Sequence, residues 1–346
     1  MMKAVVLDAF GGVENLHWRD WVMPEPGEGE IRIEIKGIAV NPVDYKMRKG
    51  LIPGELPAVL GRDVSGIVDA IGAGITQFQE GDEVFAVLFG PKSNGAYAEY
   101  VTTSAHFVCK KPSNLSFIEA SILGVAGITA YDAVIKKAQI QPEDTALVVG
   151  GSGGVGSFAI SFLKHLGVSR IFATTGGDKS KEYLVQKLKL PEDHLVSYTD
   201  RSVDEMMGQI KTATNGKGVD IAFDFVGGEM KKLCFNAAGF DGRVVSVVEE
   251  PPGFDFDIWR ADTSPFFAKS GTYHFVAASA RARNGGPDEW AVYGDMMCDI
   301  VRLVEAGGID LPEITNLGGL SAETIREAHT LLETGQAKGK LALTVG

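Results

Sequence analysis

Cysteine is scarce in this chain of 346 residues, which contains three, at positions 109, 234 and 298. The three lie far apart and form no C-x-x-C, so they provide neither a disulfide framework nor the spacing of a zinc site. Six histidines are scattered in the same way, with no pair at the spacing of metal ligands. Isolated cysteines of this kind are typical of reduced thiols, and we expect a cytoplasmic protein.

Long apolar runs and an excess of positive charge are also missing. No run of about 18 apolar residues occurs, so no membrane span is predicted, and residues 1–12 read as a strand rather than a signal peptide. The net charge of −12 disfavours nucleic acid or an anionic membrane surface as the partner. A hydrophobic content of 45% with 23% charged residues is typical of a globular enzyme, and the length allows two domains.

Glycine is abundant, and its densest cluster follows a strand-like run. The apolar residues 146–149 meet five glycines within the seven positions 150–156. Apolar residues at helical spacing come next, and a second strand-like run ends near residue 175. This order of strand, turn, helix and strand predicts a βαβ unit.

Three glycines of this turn fit the pattern G-x-G-x-x-G, which inside a βαβ unit indicates a dinucleotide site. We expect Gly151 to allow a tight left-handed turn, Gly153 to let a pyrophosphate approach the backbone, and Gly156 to let the helix lie close to the strand. Free N–H groups at the helix N-terminus would bind the phosphates. The predicted phosphate-binding residues are Gly151, Ser152, Gly153, Gly154, Val155 and Gly156.

The end of the second strand indicates which dinucleotide binds. An NAD site usually has an acidic residue there to bind the ribose 2′-OH. Here Thr174 and Thr175 end the strand and two glycines follow, so no carboxylate would repel a 2′-phosphate. Lys181 comes soon after, and NADPH is therefore the predicted cofactor. Asp178 argues against this choice, and solvated lysines at a helix start are the alternative interpretation of Lys181.

The remaining pattern divides the chain in two. Residues 1–120 split into short strand-like runs separated by Gly, Pro and Asp turns. From about residue 120, strand-like runs alternate with helical patterns, beginning with a helix predicted over 118–136. This alternation predicts a parallel sheet built from βαβ units.

Several further motifs occur in a fixed order along the chain. They are N-P-V-D-Y-K at 41–46, L-G-R-D-V-S-G at 60–66, E-G-D-E-V-F at 80–85, G-A-Y-A-E-Y-V at 95–101, D-F-V-G-G at 224–228 and K-G-K at 338–340. Together with the glycine cluster, this order resembles the medium-chain dehydrogenase/reductase superfamily, and most of all its zinc-independent quinone oxidoreductase and enone reductase branch.

The resemblance implies an α/β protein of two domains. A GroES-like β-rich catalytic domain would comprise residues 1–124 and the C-terminal segment 281–346. A Rossmann domain with a doubly wound parallel sheet would comprise residues 125–280 and bind NADPH. The resemblance also implies a homodimer, joined through a strand at 271–276.

The resemblance further implies that no zinc is bound. Zinc members have a Cys at the position of Asn41, a His-Glu pair at that of Arg62 and Asp63, and a third ligand near Val125. The residues present here cannot supply that ligand set, and the four-cysteine run of a structural zinc site is absent near position 95. Two interpretations of the Arg62-Asp63 pair stay open: a catalytic role, and a local salt bridge that shapes the turn before the next strand.

Hydride transfer without zinc requires another group to stabilise charge on the substrate oxygen. The motif at 41–46 resembles the enone reductase form, in which the lysine reaches the nicotinamide or the substrate carbonyl, so Lys46 is the predicted catalytic cation. Asn41 would be a neutral donor or a packing residue beside it. Tyr45 would donate a proton or simply pack, and Asp44 would orient the loop.

The resemblance adds further cofactor contacts. Tyr198 would contact the 2′-phosphate, and Lys340 another cofactor phosphate. Apolar strand ends would line the nicotinamide pocket, although such residues are core by default; they are Val226, Val247, Phe275 and Val276. The predicted function is transfer of hydride from NADPH to a small electrophile, a quinone or an enone. The alternatives are an NADPH-binding sensor or scaffold with negligible turnover, and a zinc-free reductase of other carbonyl compounds.

Overall fold

The computed structural model describes residues 1–90, 94–251 and 253–346. These residues form two units. The β-rich unit comprises Met1–Ile128, Ser279–Gly307 and Glu313–Gly346, and the parallel-sheet unit comprises Thr129–Ala278 and Gly308–Pro312. The return of residues 308–312 to the parallel-sheet unit was not indicated by any sequence feature.

The strands are β1 Met2–Leu7, β2 Leu16–Trp21, β3 Glu30–Val40, β4 Ala58–Val59, β5 Asp63–Ile71, β6 Glu83–Val87, β7 Tyr100–Ser104, β8 Val108–Lys110, β9 Thr145–Val149, β10 Arg170–Thr175, β11 Leu195–Ser197, β12 Val219–Asp224, β13 Ala238–Ser246, β14 Thr272–Phe275, β15 Ile314–Gly319 and β16 Lys340–Thr344. The α-helices are α1 Pro42–Arg48, α2 Phe117–Ser121, α3 Ile128–Tyr131, α4 Gly154–His165, α5 Asp178–Glu182, α6 Val203–Ala213, α7 Glu229–Ala237, α8 Pro265–Ala268, α9 Ala280–Asn284, α10 Pro287–Glu305 and α11 Ala322–Glu333.

The β-rich unit is built on a sheet with the strand order β15-β16-β3-β5-β6-β8, and β7 also pairs with β3. The long strand β3 runs antiparallel to β16, β5 and β7. Its side chains alternate between buried and half-buried over the first residues, so that Ile31, Ile33 and Ile35 enter the core. A smaller sheet, β2-β1-β4, completes the strands of this unit.

The parallel-sheet unit has the strand order β11-β10-β9-β12-β13-β14, and each neighbouring pair is parallel. This is the doubly wound order, which reverses between β9 and β12. The predicted parallel sheet is confirmed. Every residue of β9 is buried, as expected for a central parallel strand covered on both faces.

The range 118–136 is helical, as predicted, but it is not one regular α-helix: a π-helical stretch at 123–127 interrupts it between α2 and α3, and a second at 132–137 ends it. The first interruption has a clear cause. Gly124 has a non-helical ψ of −106°, and the backbone N–H of Val125 donates to Asp63 Oδ1 at 2.7 Å. The buried carboxylate thus takes a backbone donor that a regular helix would use internally.

Candidate functional site

The glycine cluster forms the turn between β9 and α4, as predicted. The left-handed residue of this turn is Gly150, with a φ of +83°, so the prediction that Gly151 takes that conformation is wrong. Gly151 is constrained by packing instead, since a Cβ there would lie 3.0 Å from the side chains of Ala173 and Ile160. Thr174 Oγ1 accepts a hydrogen bond from Gly150 N at 3.1 Å, which fixes the start of the turn.

Gly156 and Gly153 have different surroundings. A Cβ on Gly156 would lie 2.2 Å from Gly150 O, which confirms the predicted close approach of α4 to the end of β9. A Cβ on Gly153 would meet only Gly150 O, at 3.4 Å. Gly153 is the N-cap of α4, and the space beside its Cα lies next to the N–H groups that begin this helix. Of the other predicted loop residues, Ser152, Gly154 and Val155 are half-buried, and Ser152 Oγ accepts from Ser180 Oγ at 3.0 Å.

Residues at the ends of β10 and β11 lie next to one another. Tyr198 N donates to Thr175 O at 3.0 Å, and the ring of Tyr198 lies against Gly176. Thr175 is buried, whereas Tyr198 is 43% exposed. Lys181, on α5, is exposed and pairs with Glu192 at 2.7 Å. The described residues at the end of β10 itself carry no carboxylate, and the nearest acidic residue along the chain is Asp178, at the start of α5. Tyr198 follows β11 directly, and Lys181 lies on α5.

A buried aspartate, which the sequence reasoning did not single out, organises the end of β12. Asp224 Oδ1 accepts from the N–H groups of Val226 and Gly227, at 3.1 and 2.7 Å. Its Oδ2 accepts from Ser246 Oγ at 2.7 Å, which links β12 to β13. Lys231 Nζ lies 3.7 Å from the same oxygen. The signal was present in D-F-V-G-G, where the aspartate precedes the turn that it binds.

The predicted apolar residues of this edge differ in exposure. Val226 is 53% exposed and lies against Gly150, and Phe275 is 72% exposed. Val247 is half-buried. Val276 is buried, and its N–H donates to Ser246 O at 2.9 Å. Val226 and Phe275 are thus available for a ligand, whereas Val276 is mainly a core residue.

In the β-rich unit, three of the motif residues form a buried polar cluster. Lys340 Nζ donates to Asn41 Oδ1 at 2.5 Å and lies 3.6 Å from Asp63 Oδ2. Asn41 Nδ2 donates to the same Asp63 oxygen at 2.8 Å. Burial raises the pKa of the Asp63 carboxyl, and the Lys340 ammonium opposes that shift. The Lys340 ammonium is therefore bound inside this unit, and its contact with a cofactor phosphate stays a prediction.

The Arg62–Asp63 salt bridge, one of the two open interpretations, is not formed in the described part of the chain. Arg62 donates to Leu88 O at 2.6 Å and to the Met47 sulfur at 3.3 Å. Asp63, the first residue of β5, instead contacts Asn41 and Lys340.

The predicted catalytic residues Tyr45 and Lys46 are half-buried on α1. Within the described ranges, the Lys46 ammonium has no hydrogen-bond or ion-pair partner. Asp44, on the same helix, accepts from Asn41 N at 2.8 Å and so caps α1, in agreement with its predicted orienting role. The helix thus carries one lysine whose charge is not used by the fold.

A hydrogen-bonded chain continues from Asp44 into the interior. Tyr97 Oη donates to Asp44 Oδ2 at 3.1 Å and lies 3.0 Å from His329 Nε2. Arg48 Nε donates to His329 Nδ1 at 3.2 Å, which requires the proton of the neutral ring to be on Nε2. This series of hydrogen bonds connects α1 with α11. His329 was not predicted, since a single histidine on a helix carries no local signal.

Asp44 and His329, which both belong to this series of hydrogen bonds, have strongly shifted pKa values. Burial raises the pKa of Asp44 from 3.8 to about 7. Burial, with the nearby Arg48 charge, lowers the pKa of His329 from 6.5 to about 3. Between pH 3.8 and 6.5, folding therefore makes Asp44 take up a proton and His329 release one. The two contributions to the pH dependence of stability have opposite signs and offset each other.

Replacing Asp44 or His329 alone should reveal the contribution of the other residue to the pH dependence of stability. In Asp44→Asn, the free energy of unfolding should rise with pH relative to the wild type, by up to about 1.4 kcal/mol per pH unit in this window. In His329→Gln, it should fall with pH by a similar amount. Urea unfolding at several pH values measures both slopes, with the double variant as control. Two single variants that retain the wild-type pH dependence would contradict the assignment.

Among the residues described, no group of three His, Cys, Asp or Glu side chains is placed to hold a metal ion. Within the same residues, no helix combines the length and the apolar character needed to cross a membrane.

Two family models match the chain. The alcohol dehydrogenase GroES-like domain matches residues 27–113, and the zinc-binding dehydrogenase family matches residues 154–258. Among curated relatives, a 2-methylene-furan-3-one reductase of Solanum lycopersicum is 31% identical over 99% of this chain and 79% of its own length. A chloroplastic NADPH-dependent alkenal/one oxidoreductase of Arabidopsis thaliana is 29% identical over the same shares.

Two solved structures are also similar to this chain over nearly its whole length. An alcohol dehydrogenase superfamily protein from Novosphingobium aromaticivorans is 28% identical, with a TM-score of 0.84 over the whole of both chains. A mycobacterial protein solved in complex with NADPH is 26% identical, with a TM-score of 0.83 over 99% of this chain and 100% of its own. The two matched domains, and the relatives matched over nearly the whole of this chain, confirm the family that the ordered motifs indicated. The chain belongs to the medium-chain dehydrogenase/reductase superfamily.

Proposed function

We propose that the protein is an NADPH-dependent, zinc-independent oxidoreductase that transfers hydride to quinones or α,β-unsaturated carbonyl compounds. The observation that carries the proposal is the end of β10, which has no acidic residue and lies beside the turn 150–156. This turn follows β9, where the strand order of the sheet reverses. The names of the relatives from Solanum lycopersicum and Arabidopsis thaliana, a reductase of a conjugated ketone and an alkenal/one oxidoreductase, support the substrate class.

The residues of the parallel-sheet unit fit NADPH. The open space beside Gly153 and the N-terminus of α4 would accept a pyrophosphate, with Gly151, Ser152, Gly154 and Val155 around it. Lys181 and Tyr198 would hold the 2′-phosphate, and Thr174 and Thr175 would shape that end of the site. The exposed side chains of Val226 and Phe275, with Val247, would contact the nicotinamide. When bound, NADPH supplies the hydride.

The β-rich unit would supply the groups that bind the acceptor. The Lys46 ammonium, with no partner in the described chain, would hold the oxygen on which negative charge develops. Asp44 caps the helix that carries this lysine, and Asn41 is held by Lys340 and Asp63, so both are positioning residues. Tyr45 or solvent would deliver the proton that completes the reduction.

The direct test is NADPH oxidation with a naphthoquinone and with a medium-chain enone, each with and without a chelator. We expect oxidation with at least one acceptor and no effect of the chelator. Activity that disappears with the chelator, or that requires a simple alcohol, would contradict the zinc-free assignment. Saturable NADPH binding without oxidation by either acceptor would favour a binding protein instead.

Replacing Lys46 by alanine should lower kcat/KM for the enone about 100-fold, because a preorganised donor to the developing oxyanion is lost. NADPH affinity should not change. Steady-state kinetics and fluorescence titration measure the two quantities. Lys49→Ala is the matched control, since Lys49 lies at the end of the same helix and pairs with Glu333. Equal kinetics of the two variants would remove Lys46 from the mechanism.

Quinones are included because a conjugated acceptor of either kind needs the same cation. We infer a homodimer through β14, an edge strand of the parallel sheet with the exposed Phe275. Sedimentation of the purified protein tests this. The cytoplasmic assignment rests on the three free cysteines.

A further inference from the structure

Two of the three cysteines lie together in the β-rich unit, although 189 positions separate them in the chain. Cys109 is on β8 and Cys298 is on α10, and their sulfur atoms are 3.5 Å apart. Cys109 is buried and Cys298 is exposed. The third cysteine, Cys234, is fully buried on α7 of the other unit. The fold thus creates a dithiol that the spacing in the sequence did not indicate.

The packing of α10 holds this pair in place. Near the start of the helix, the rings of Trp290 and Tyr293 lie 5.5 and 5.2 Å from that of Phe107, which directly precedes β8. At the other end, Ser113 N donates to Glu305 Oε1 at 2.8 Å. Cys298 lies between these two anchors. The closeness of the sulfur atoms therefore follows from the fixed position of the helix.

We propose that Cys109 and Cys298 form a redox-modification site, which a peroxide oxidises to an intramolecular disulfide and a small thiol reduces again. Cys298 is the thiol that reacts first, because it is the one that solvent reaches. To form a bond of about 2.05 Å, the sulfur atoms must approach by about 1.5 Å.

The chemistry has two steps. The Cys298 thiolate attacks one peroxide oxygen, so that an S–O bond forms, the O–O bond breaks and a sulfenic acid results, with water as the product from hydrogen peroxide. Cys109 then loses its proton and attacks the Cys298 sulfur, the S–S bond forms, and the S–O bond breaks to release a second water. The two thiols lose two electrons in total. Two molecules of a small thiol such as glutathione supply these electrons in the reverse reaction.

The order of the steps agrees with the surroundings of the buried thiol. Burial raises the pKa of the Cys109 thiol, and the neighbouring Cys298 adds to the shift. Cys109 is therefore poorly suited to start the reaction, because the thiolate is the nucleophile. Burial also raises the pKa of Cys234, which has no access to solvent and should stay reduced.

The test uses the reduced, full-length protein treated with hydrogen peroxide. Thiols are counted under denaturing conditions, and intact mass and peptide mapping are recorded. We expect the three thiols to fall to one, a mass loss of about 2 Da, a peptide that links positions 109 and 298, and full reversal by glutathione. The oxidised form should also melt about 5 °C higher, because the disulfide closes a long loop.

Variants make the outcome specific. Cys298→Ser and Cys109→Ser should each abolish the internal link, whereas Cys234→Ser should form it and lose both remaining thiols. Three thiols left after treatment, a link between two chains, or oxidation of Cys298 to a sulfinic acid without a link would each overturn the proposal. The thiol count does not depend on NADPH oxidation, so failure of the proposed catalytic function would not affect this test.

Discussion

Lys340→Met is expected to lower the free energy of unfolding of the β-rich unit by about 3–5 kcal/mol, the usual effect of removing one partner of a buried ion pair. Lys340 is buried, and its ammonium is bonded to Asn41 and lies 3.6 Å from the Asp63 carboxylate. Methionine fills a similar volume but leaves Asp63 buried without its cation. The size of the effect comes from that uncompensated charge, and much less from the lost hydrogen bond.

Urea unfolding monitored by tryptophan fluorescence measures this effect. Three of the four tryptophans, Trp18, Trp21 and Trp290, lie in the β-rich unit, so the signal reports mainly on it. Lys338→Met is the matched control, because this lysine is two positions away and only half-buried, and its effect should stay within about 0.5 kcal/mol. The double variant Asp63→Asn/Lys340→Met should recover part of the loss, because neither charge is left. Equal stability of the two lysine variants would show that the buried pair contributes nothing.

The same variant also tests the predicted cofactor role of Lys340. If the ammonium serves only the cluster, Lys340→Met should keep its NADPH affinity in the fraction that stays folded. A loss of affinity larger than the loss of folded protein would support a phosphate contact instead.

Two glycine substitutions should separate folding from cofactor binding in the turn 150–156. Gly156→Ala places a methyl group 2.2 Å from Gly150 O and 2.7 Å from Gly151 Cα, and these backbone atoms cannot rotate away as a side chain can. We expect a loss of about 3 kcal/mol of stability in the parallel-sheet unit and NADPH binding at least about 100-fold weaker. The cause is the forced separation of α4 from the end of β9.

Gly153→Ala should behave differently. Its backbone is extended, with a φ of −84°, and its Cβ would make only an ordinary contact at 3.4 Å. The fold should therefore be retained, with a change in stability below about 0.5 kcal/mol, while the methyl group fills the space proposed for the pyrophosphate and weakens NADPH binding at least about 10-fold. Thermal unfolding and NADPH titration of both variants provide the comparison. Unchanged NADPH affinity in Gly153→Ala would place the phosphates elsewhere.

The sequence predicted the parallel-sheet unit well because its signals are local. The strand β9, the turn and α4 occupy consecutive residues, and hydrophobic spacing distinguishes strands from helices over such short distances. Details of backbone conformation were harder to predict from the sequence. With five glycines in seven positions, the pattern did not reveal that Gly150, rather than Gly151, takes the left-handed conformation.

The contacts within the buried polar cluster of the β-rich unit could not be predicted from the sequence. The motifs contained Asn41, Asp63 and Lys340 as separate residues, and the resemblance implied a contact between the lysine and a cofactor phosphate. Its hydrogen bond to Asn41 joins residues 299 positions apart, and the Tyr97–His329 contact joins residues 232 positions apart. Such pairs depend on which strands and helices pack against each other, and a single sequence carries no record of that.

The order of amino acids was thus sufficient for the βαβ unit, its glycine-rich turn and the lack of an acidic residue at the end of β10, since neighbouring residues set backbone hydrogen bonding and turn geometry. Folding in three dimensions settled which polar groups share the interior: the partners of Lys340, the opposed titrations of Asp44 and His329, and the contact of Cys109 with Cys298. A buried charge or thiol acquires its chemistry from atoms a few ångströms away, and those atoms come from distant parts of the chain.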